Sequence, residues 1–114
     1  MPELPEVETV RSGLEKYVVG KRISTAQSFH PRTVKPGSIA PLTAAVGAKI
    51  QAVKRRGKFL WLELDRDFTL VAHLGMSGQL LVQPSSAPIQ THMRARLSLT
   101  SRLGRGRDEI RFID

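Results

Sequence analysis

The spacing of apolar residues changes once along this chain, and that change constrains the fold more than any other feature. Five apolar residues near the N-terminus recur at the three- and four-residue spacing of a helix: Val7, Val10, Leu14, Tyr17 and Val18. Gly20 follows as a stop signal, so we predict a helix from about Pro5 to Val19. Beyond it, short apolar runs alternate with Gly- and Pro-containing turns, which is typical of strands. The sequence therefore predicts one terminal helix on a mostly β body.

Seven strands and one helical turn are predicted after the helix. The helical turn lies around Leu42 to Val46, and the strands are Lys21–Phe29, Ala48–Arg55, Lys58–Leu64, Phe68–Leu74, Gln79–Gln83, Met93–Leu99 and Ile110–Ile113. The segment PSSAPIQ has turn composition and is predicted to be a flexible link. This order indicates an α+β, mostly β class, with a two-sheet β-sandwich or flattened barrel and the N-terminal helix packed on it.

Length and cysteine content limit the possibilities further. The 114 residues fit one domain, 1–114. The chain has no cysteine, which excludes a disulfide framework and a cysteine zinc site within it, so no metal or other cofactor is predicted here. The N-terminus lacks the apolar core of a signal peptide, and no apolar run reaches membrane-spanning length. We expect a cytoplasmic location and no membrane partner.

The strongest global feature is a formal charge of +8 with a pI near 10.9. A charge balance of this kind favours polyanionic partners, of which nucleic acid is the default. The alternative at this point is a basic domain without such a partner.

The first ten residues, MPELPEVETV, combine two prolines with three glutamates. Removal of Met1 would leave Pro2 with a free secondary amine, which can attack an electrophilic sugar carbon and form an iminium ion. Glu3 and Glu6 are then placed to move protons and to position water or the amine. The alternative is structural, because Pro suits a helix start and carboxylates oppose the helix dipole.

Two glycine-containing turns carry further candidate residues. In KRRGK, four cations flank Gly57 at a hairpin tip and would face phosphates: Lys54, Arg55, Arg56 and Lys58. In HLGMSG, Met76 lies at a turn apex, where an apolar side chain can fill the gap left by a base flipped out of duplex DNA. His73 precedes this turn and can donate to a phosphate. The alternatives are a solvated turn, a methionine folded onto the core and a strand histidine satisfied within the protein.

His92 heads a later strand, THMRARLSL, which places Arg94 and Arg96 on its alternate face. These residues can line a DNA groove or simply form the solvated side of a sheet. The strand by itself favours the second interpretation.

Taken together and in this order, PELPEVETV, RRGKFLWLEL, HLGMSGQL and the His-x-Arg strand resemble the N-terminal domain of the formamidopyrimidine-DNA glycosylases, bacterial repair enzymes for oxidised purines. The resemblance covers essentially the whole chain. The related endonuclease VIII branch usually has Gly where Leu4 stands and lacks the HLGMSG form, so the oxidised-purine branch is favoured.

The resemblance implies roles for individual residues. Pro2 would attack C1′ of the damaged nucleotide and form a Schiff base, and Glu3 would supply acid for glycosidic cleavage and ring opening. Glu6 matches a further active-site carboxylate. Lys58 matches a lysine that grips phosphate near the lesion and donates a proton in β-elimination. Met76 matches a void-filling residue and His92 matches a DNA-binding histidine. Arg56 and His73 are predicted DNA contacts from their positions beside the two turns.

The family continues beyond the position of Asp114 into a helix–two-turn–helix motif and a four-cysteine zinc finger, which this sequence does not contain. We expect a fragment that folds, binds damaged double-stranded DNA as a monomer and repairs it poorly alone, since phosphate contacts are spread over both halves. Two other classes stay open. One is a non-catalytic nucleic-acid-binding β-domain, and the other is a tautomerase with an N-terminal proline, which is disfavoured because a helix follows Pro2 at once.

Overall fold

The N-terminal helix α1 spans Leu4–Val18 in a computed structural model that describes residues 4–29, 41–75, 78–100 and 108–114. Val7, Leu14 and Val18 are almost completely buried, whereas Tyr17 is 61% exposed. The helical spacing therefore marks a real apolar face with Tyr17 at its edge. Gly20 has a φ of 91°, a conformation that ends the helix readily only in a residue without Cβ.

Seven strands and one short 3₁₀ helix follow α1 in the described part of the chain. The 3₁₀ helix is Leu42–Ala45, and the strands are β1 Arg22–Ser28, β2 Ile50–Arg56, β3 Phe59–Leu64, β4 Thr69–His73, β5 Gln79–Pro84, β6 Met93–Thr100 and β7 Asp108–Ile113. Each predicted strand is present, with bounds shifted by one or two residues. The predicted mostly β class with an N-terminal helix is confirmed.

The strands form two antiparallel sheets. The larger has the order β1-β6-β7-β5 and the smaller the order β2-β3-β4. The two sheets are joined near the start of β1, where the Ile23 N–H donates to Ala48 at 2.9 Å and the Ile50 N–H donates to Lys21 at 2.9 Å. Backbone hydrogen bonds thus connect the two sheets directly.

A single apolar core is shared by α1 and both sheets. The smaller sheet contributes Val53, Leu60, Leu62 and Leu64 among others, and the larger contributes Ile23, Leu97, Leu99 and Ile110. Along β6, residues 93, 95, 97 and 99 are buried and the intervening ones half-buried, as the alternation predicted. The strand pattern therefore located the inner face of the larger sheet correctly.

One part of the larger sheet differs from what the sequence indicated. Arg111 in β7 is fully buried, although it lies on the opposite pleat face from the core residue Ile110. Its guanidinium donates to Glu109 Oε2 at 2.9 Å, to the carbonyl of Pro88 at 2.8 Å and to that of Ala87 at 3.0 Å. The PSSAPIQ segment was predicted to be a flexible link, but Arg111 fixes its backbone over the sheet.

Among the described residues, α1 is the one α-helix, and it is too short and too polar to cross a membrane.

Candidate nucleic-acid interface and active site

The direction of α1 along β2 determines where the start of the helix lies. Three contacts run in antiparallel order: the Gly20 N–H donates to Ile50 O at 2.8 Å, Arg11 Nη1 donates to Val53 O at 3.1 Å, and Arg55 Nε donates to Glu8 Oε1 at 3.0 Å. From Glu8 to Gly20 the chain rises about 18 Å, and from Ile50 to Arg55 the strand rises about 17 Å. The start of α1 therefore points toward the β2–β3 turn.

Glu8 lies between two arginines at this end of the helix. Arg11 donates from Nε to both Glu8 oxygens, at 3.0 Å and 2.9 Å, and from Nη2 to Oε2 at 2.6 Å. Arg55 of β2 supplies the second cation. Arg11 also donates to Glu15 at 2.8 Å. We call Glu8, Arg11 and Arg55 the Glu8 cluster; it is the polar connection between the first half of α1 and the end of β2.

The hydrogen bonds from Arg11, and then those from Arg55, lower the pKa of the Glu8 carboxyl from its ordinary value of 4.5 to about 2. The hydrogen bond with Glu8 in turn raises the pKa of Arg11. The folded state thus favours the ionised carboxylate.

This pKa shift makes a prediction about acid stability. The cluster stabilises the folded state at pH values above about 4.5, and that contribution is lost as the pH falls from 4.5 towards 2. We expect the free energy of unfolding of wild type to fall more over this window than that of Glu8→Gln. Urea unfolding at pH 6, 4.5 and 3 measures both, with Glu15→Gln as the control for a general loss of carboxylate charge. A pH-independent difference between wild type and Glu8→Gln would contradict the assignment.

The four cations of the predicted hairpin tip, all within residues 54–58, differ in whether they form an ion pair with the described residues. Lys54 pairs with Glu63 at 3.3 Å and Arg55 belongs to the Glu8 cluster. Within the described part of the chain, Arg56 and Lys58 form no ion pair and are exposed and half-buried, respectively. The turn between them contains Gly57 at a φ of 60°, which glycine adopts without strain. Two of the four cations thus remain available to a phosphate.

Lys58 and His73 meet at the same end of the smaller sheet. The Leu74 N–H donates to the Lys58 carbonyl at 3.1 Å, and His73 is the cross-strand partner of Phe59. The exposed rings of Phe59 and His73 stack with centroids 4.4 Å apart. The structure therefore brings together Arg56, Lys58 and His73 at the hairpin end of this sheet.

The turn after β4 begins at this same end. Gly75 and Gly78 bracket it, and the Gly78 N–H donates to Leu74 O at 2.7 Å. A Cβ at Gly78 would lie 2.4 Å from that oxygen, so the close approach of the backbone requires glycine. Met76 lies between the two glycines but outside the described residues.

The remaining predicted residues belong to the N-terminal segment and to the larger sheet. Glu6 is exposed in the first turn of α1, whereas Pro2 and Glu3 lie outside the described residues. His92 is exposed just before β6, in the larger sheet, and its carbonyl accepts from the Asp114 N–H at 3.1 Å. Arg96 lies on the same strand face. Its Nε donates to Gln27 Oε1 at 3.0 Å, and its guanidinium carbon lies 5.6 Å from the centroid of the Phe29 ring.

Sequence reasoning missed Glu8 and Arg11 as members of the site. Their spacing of three residues on a predicted helix was a signal for an ion pair, but the third member, Arg55, comes from a strand far along the chain. Phe59 was missed as well, because its neighbour His73 depends on strand register.

Among residues 4–29, 41–75, 78–100 and 108–114, no three His, Asp or Glu side chains lie close enough to hold a metal ion.

Comparison with known proteins decides the family. The family model for the formamidopyrimidine-DNA glycosylase N-terminal domain matches residues 1–114. This chain belongs to that family. It is 51% identical over 117 residues to the formamidopyrimidine-DNA glycosylase of Acidothermus cellulolyticus and 50% identical over 120 residues to that of Thermobifida fusca. Both matches include all of this chain and 40% of the relative, so the chain spans about two fifths of the length of these glycosylases.

Solved glycosylase structures agree with this assignment. A Lactococcus lactis formamidopyrimidine-DNA glycosylase bound to abasic-site DNA matches with a TM-score of 0.85 and 34% identity over 99% of this chain and 40% of that one. A second structure, of the Lactococcus lactis protein with FAPY-dG-containing DNA, matches with a TM-score of 0.84 and 35% identity over 98% of this chain and 40% of that one. The suspected resemblance and the predicted fold are thus confirmed.

Proposed function

We propose that this chain is the N-terminal catalytic part of a base-excision-repair DNA glycosylase with abasic-site lyase activity. Its substrate would be duplex DNA containing oxidised purines, such as 8-oxoguanine or formamidopyrimidines, in the bacterial cytoplasm. One observation carries the proposal. The antiparallel contacts of α1 with β2 direct the first turn of α1, which carries Glu6 and follows Pro2 and Glu3 in the sequence, toward the β2–β3 turn that contains Lys58.

The proposed reaction begins at the amine of Pro2 after removal of Met1. The nitrogen lone pair forms a bond to C1′ while the bond from C1′ to the base breaks, and Glu3 gives a proton to complete departure of the base or opening of the sugar. The Pro2 nitrogen then loses its proton, the C1′–O4′ bond breaks as O4′ takes up a proton, and the nitrogen lone pair forms the C1′=N bond of an iminium ion. Loss of a C2′ proton then expels the 3′ phosphate, and a second elimination expels the 5′ phosphate.

The other residues have supporting parts in this proposal. Lys58 grips a phosphate beside the lesion and donates a proton during elimination, while Glu6 positions water or the amine. Arg56, His73 and His92 contact phosphates, and Met76 fills the space left by the flipped base. The net charge of +8 supports a polyanionic partner.

Borohydride trapping tests the proposed function. Chain shown by intact mass to lack Met1 is incubated at low salt with a duplex containing one abasic site, then reduced with borohydride. We expect a covalent protein–DNA adduct that is lost after acetylation of the N-terminal amine and absent with an undamaged duplex. DNA binding without an adduct from Met1-free protein would overturn the catalytic proposal and leave a non-catalytic nucleic-acid-binding domain.

A further inference from the structure

The Glu8 cluster stands between two segments that the proposed reaction requires in register. Glu8 follows Glu6 by two residues on α1, and Arg55 precedes Lys58 by three residues on the β2–β3 hairpin. The carboxylate accepts from Arg55 Nε at 3.0 Å and from Arg11 through three bonds of 2.6 to 3.0 Å. The Glu8 carboxylate on α1 thus binds Arg55 on the hairpin and links the two segments.

The surrounding apolar packing fixes α1 less completely at this end than at the other. Val7 is fully buried, but Leu14 and Val18 lie in the second half of the helix, and Pro5 and Glu6 are exposed. Apolar contacts are not directional, whereas the charge-assisted hydrogen bond from Arg55 Nε to Glu8 Oε1, at 3.0 Å, joins one atom of the hairpin to one atom of α1. The polar cluster is therefore the element that defines the position of the first turn relative to the hairpin.

The Glu8 carboxylate accepts hydrogen bonds from two arginines, Arg11 and Arg55. Arg11 pairs with Glu15 as well, and this second pair is an ordinary neighbour contact within one helix. Glu8 differs because its second cation lies 47 residues away on another element. Removal of Glu8 would leave the Arg55 guanidinium without its partner on α1, so the first turn would be held less exactly against the hairpin, while Arg11 keeps its bond to Val53 O at 3.1 Å.

We propose that Glu8 is a positioning residue that holds the N-terminal amine and Lys58 in register across the same nucleotide. The inference rests on the proposed function. Glu8 itself does not touch the reacting atoms; it acts through Arg55 on the hairpin and through α1 on Pro2. Small displacements between reacting groups lower a rate steeply, by about 100-fold for 1 Å, while affinity from dispersed phosphate contacts changes little.

The test separates rate from affinity. Glu8→Gln, Arg55→Met and the double variant are compared with wild type in single-turnover borohydride trapping at saturating protein and in abasic-duplex binding. We expect each single variant to trap about 10- to 100-fold more slowly with a dissociation constant within about 3-fold of wild type. We expect the double variant to be no slower than the slower single variant, because both changes break one connection. Glu15→Gln, which removes the other Arg11 partner, is the matched control and should trap at the wild-type rate.

Amide hydrogen exchange on the free protein provides a second readout that needs no catalysis. Glu8→Gln should speed exchange at residues 7–11 and 55–59 together, and Glu15→Gln should not. Wild-type trapping rates in Glu8→Gln, multiplicative losses in the double variant, or unchanged exchange would each overturn the inference. If wild type itself gives no adduct, the proposed function and the catalytic part of this inference both fail. Unchanged exchange in a trapping-competent protein overturns the inference alone.

Discussion

Arg111→Met is expected to lower the free energy of unfolding by about 3–5 kcal/mol, the cost of breaking a buried ion pair from one side. The guanidinium is fully buried and makes five hydrogen bonds, to Glu109, Gln83, Gln90 and the carbonyls of Ala87 and Pro88. Methionine fills the volume but donates nothing, so each acceptor loses the hydrogen bond from the guanidinium, and among them Gln83 Oε1 keeps a bond from Gln90 Nε2. Among the residues that the structure describes, Glu109, also buried, would keep one cation, Arg96 at 3.7 Å. Urea unfolding measures the loss.

Arg66→Met is the matched control for this prediction, because Arg66 is an exposed arginine paired with Asp65 at 3.2 Å. Its removal should change the free energy of unfolding by less than about 1 kcal/mol. If Arg111→Met does not fold, Arg111→Lys retains the charge with fewer donors and should give an intermediate loss. Adding Glu109→Met to Arg111→Met should recover part of the stability, since no charge then remains buried without its partner. A loss below about 1 kcal/mol for Arg111→Met would show that the cluster is not a structural anchor.

Lys58→Met is expected to slow borohydride trapping on abasic-site DNA by about 100-fold, the usual size of a proton-transfer contribution. It should also reduce the slope of log affinity against log salt by about 0.9, because one phosphate contact is lost. Lys58 forms no ion pair with the described residues and is half-buried, so the free energy of unfolding should be nearly unchanged. Single-turnover trapping, titrations at several salt concentrations and urea unfolding measure the three quantities.

Lys54→Met is the matched control, because Lys54 is on the same hairpin but is already paired with Glu63 at 3.3 Å. It should leave the trapping rate and the salt slope close to wild type. Equal losses in the two variants would indicate a general effect of hairpin charge. A lower affinity in Lys58→Met with an unchanged rate at saturation would contradict the proton-donor role and retain the phosphate contact.

The two predictions concern cations in opposite environments. Arg111 is buried among hydrogen-bond acceptors of the protein, whereas Lys58 forms no ion pair with the described residues. The chain has 18 lysines and arginines, yet several are held by carboxylates or carbonyls of the protein itself. Net charge alone therefore does not say which cations face DNA. The distinction between Lys54 and Lys58, four residues apart on one hairpin, needs the position of Glu63 on the neighbouring strand.

Much of the fold was predictable because its signals are local. The helical spacing of Val7, Leu14 and Val18 and the alternation along β6 each depend on a few neighbouring residues, and the observed elements agree with them. The positions of Gly57 and Gly78 in tight turns were likewise indicated by the residue type. The family motifs were recognisable for the same reason, since each occupies one short stretch.

The candidate site was predictable only in part. The sequence identified Lys58 and His73 separately, but strand register placed them at one end of the smaller sheet. It gave no indication that Arg55 would meet Glu8 rather than a phosphate. Pairings between residues distant in sequence depend on how elements pack, which the local pattern does not encode.

What the sequence by itself determined is the set of elements, the apolar face of each and the family, because these follow from backbone periodicity and short motifs. Only the tertiary structure decided which charges are partnered. Arg111 illustrates the reason: strand alternation placed it away from the core, and a loop distant in sequence closed over it and supplied two carbonyl acceptors. A buried charge is stable only with its partners in place, and those partners meet only in the folded chain.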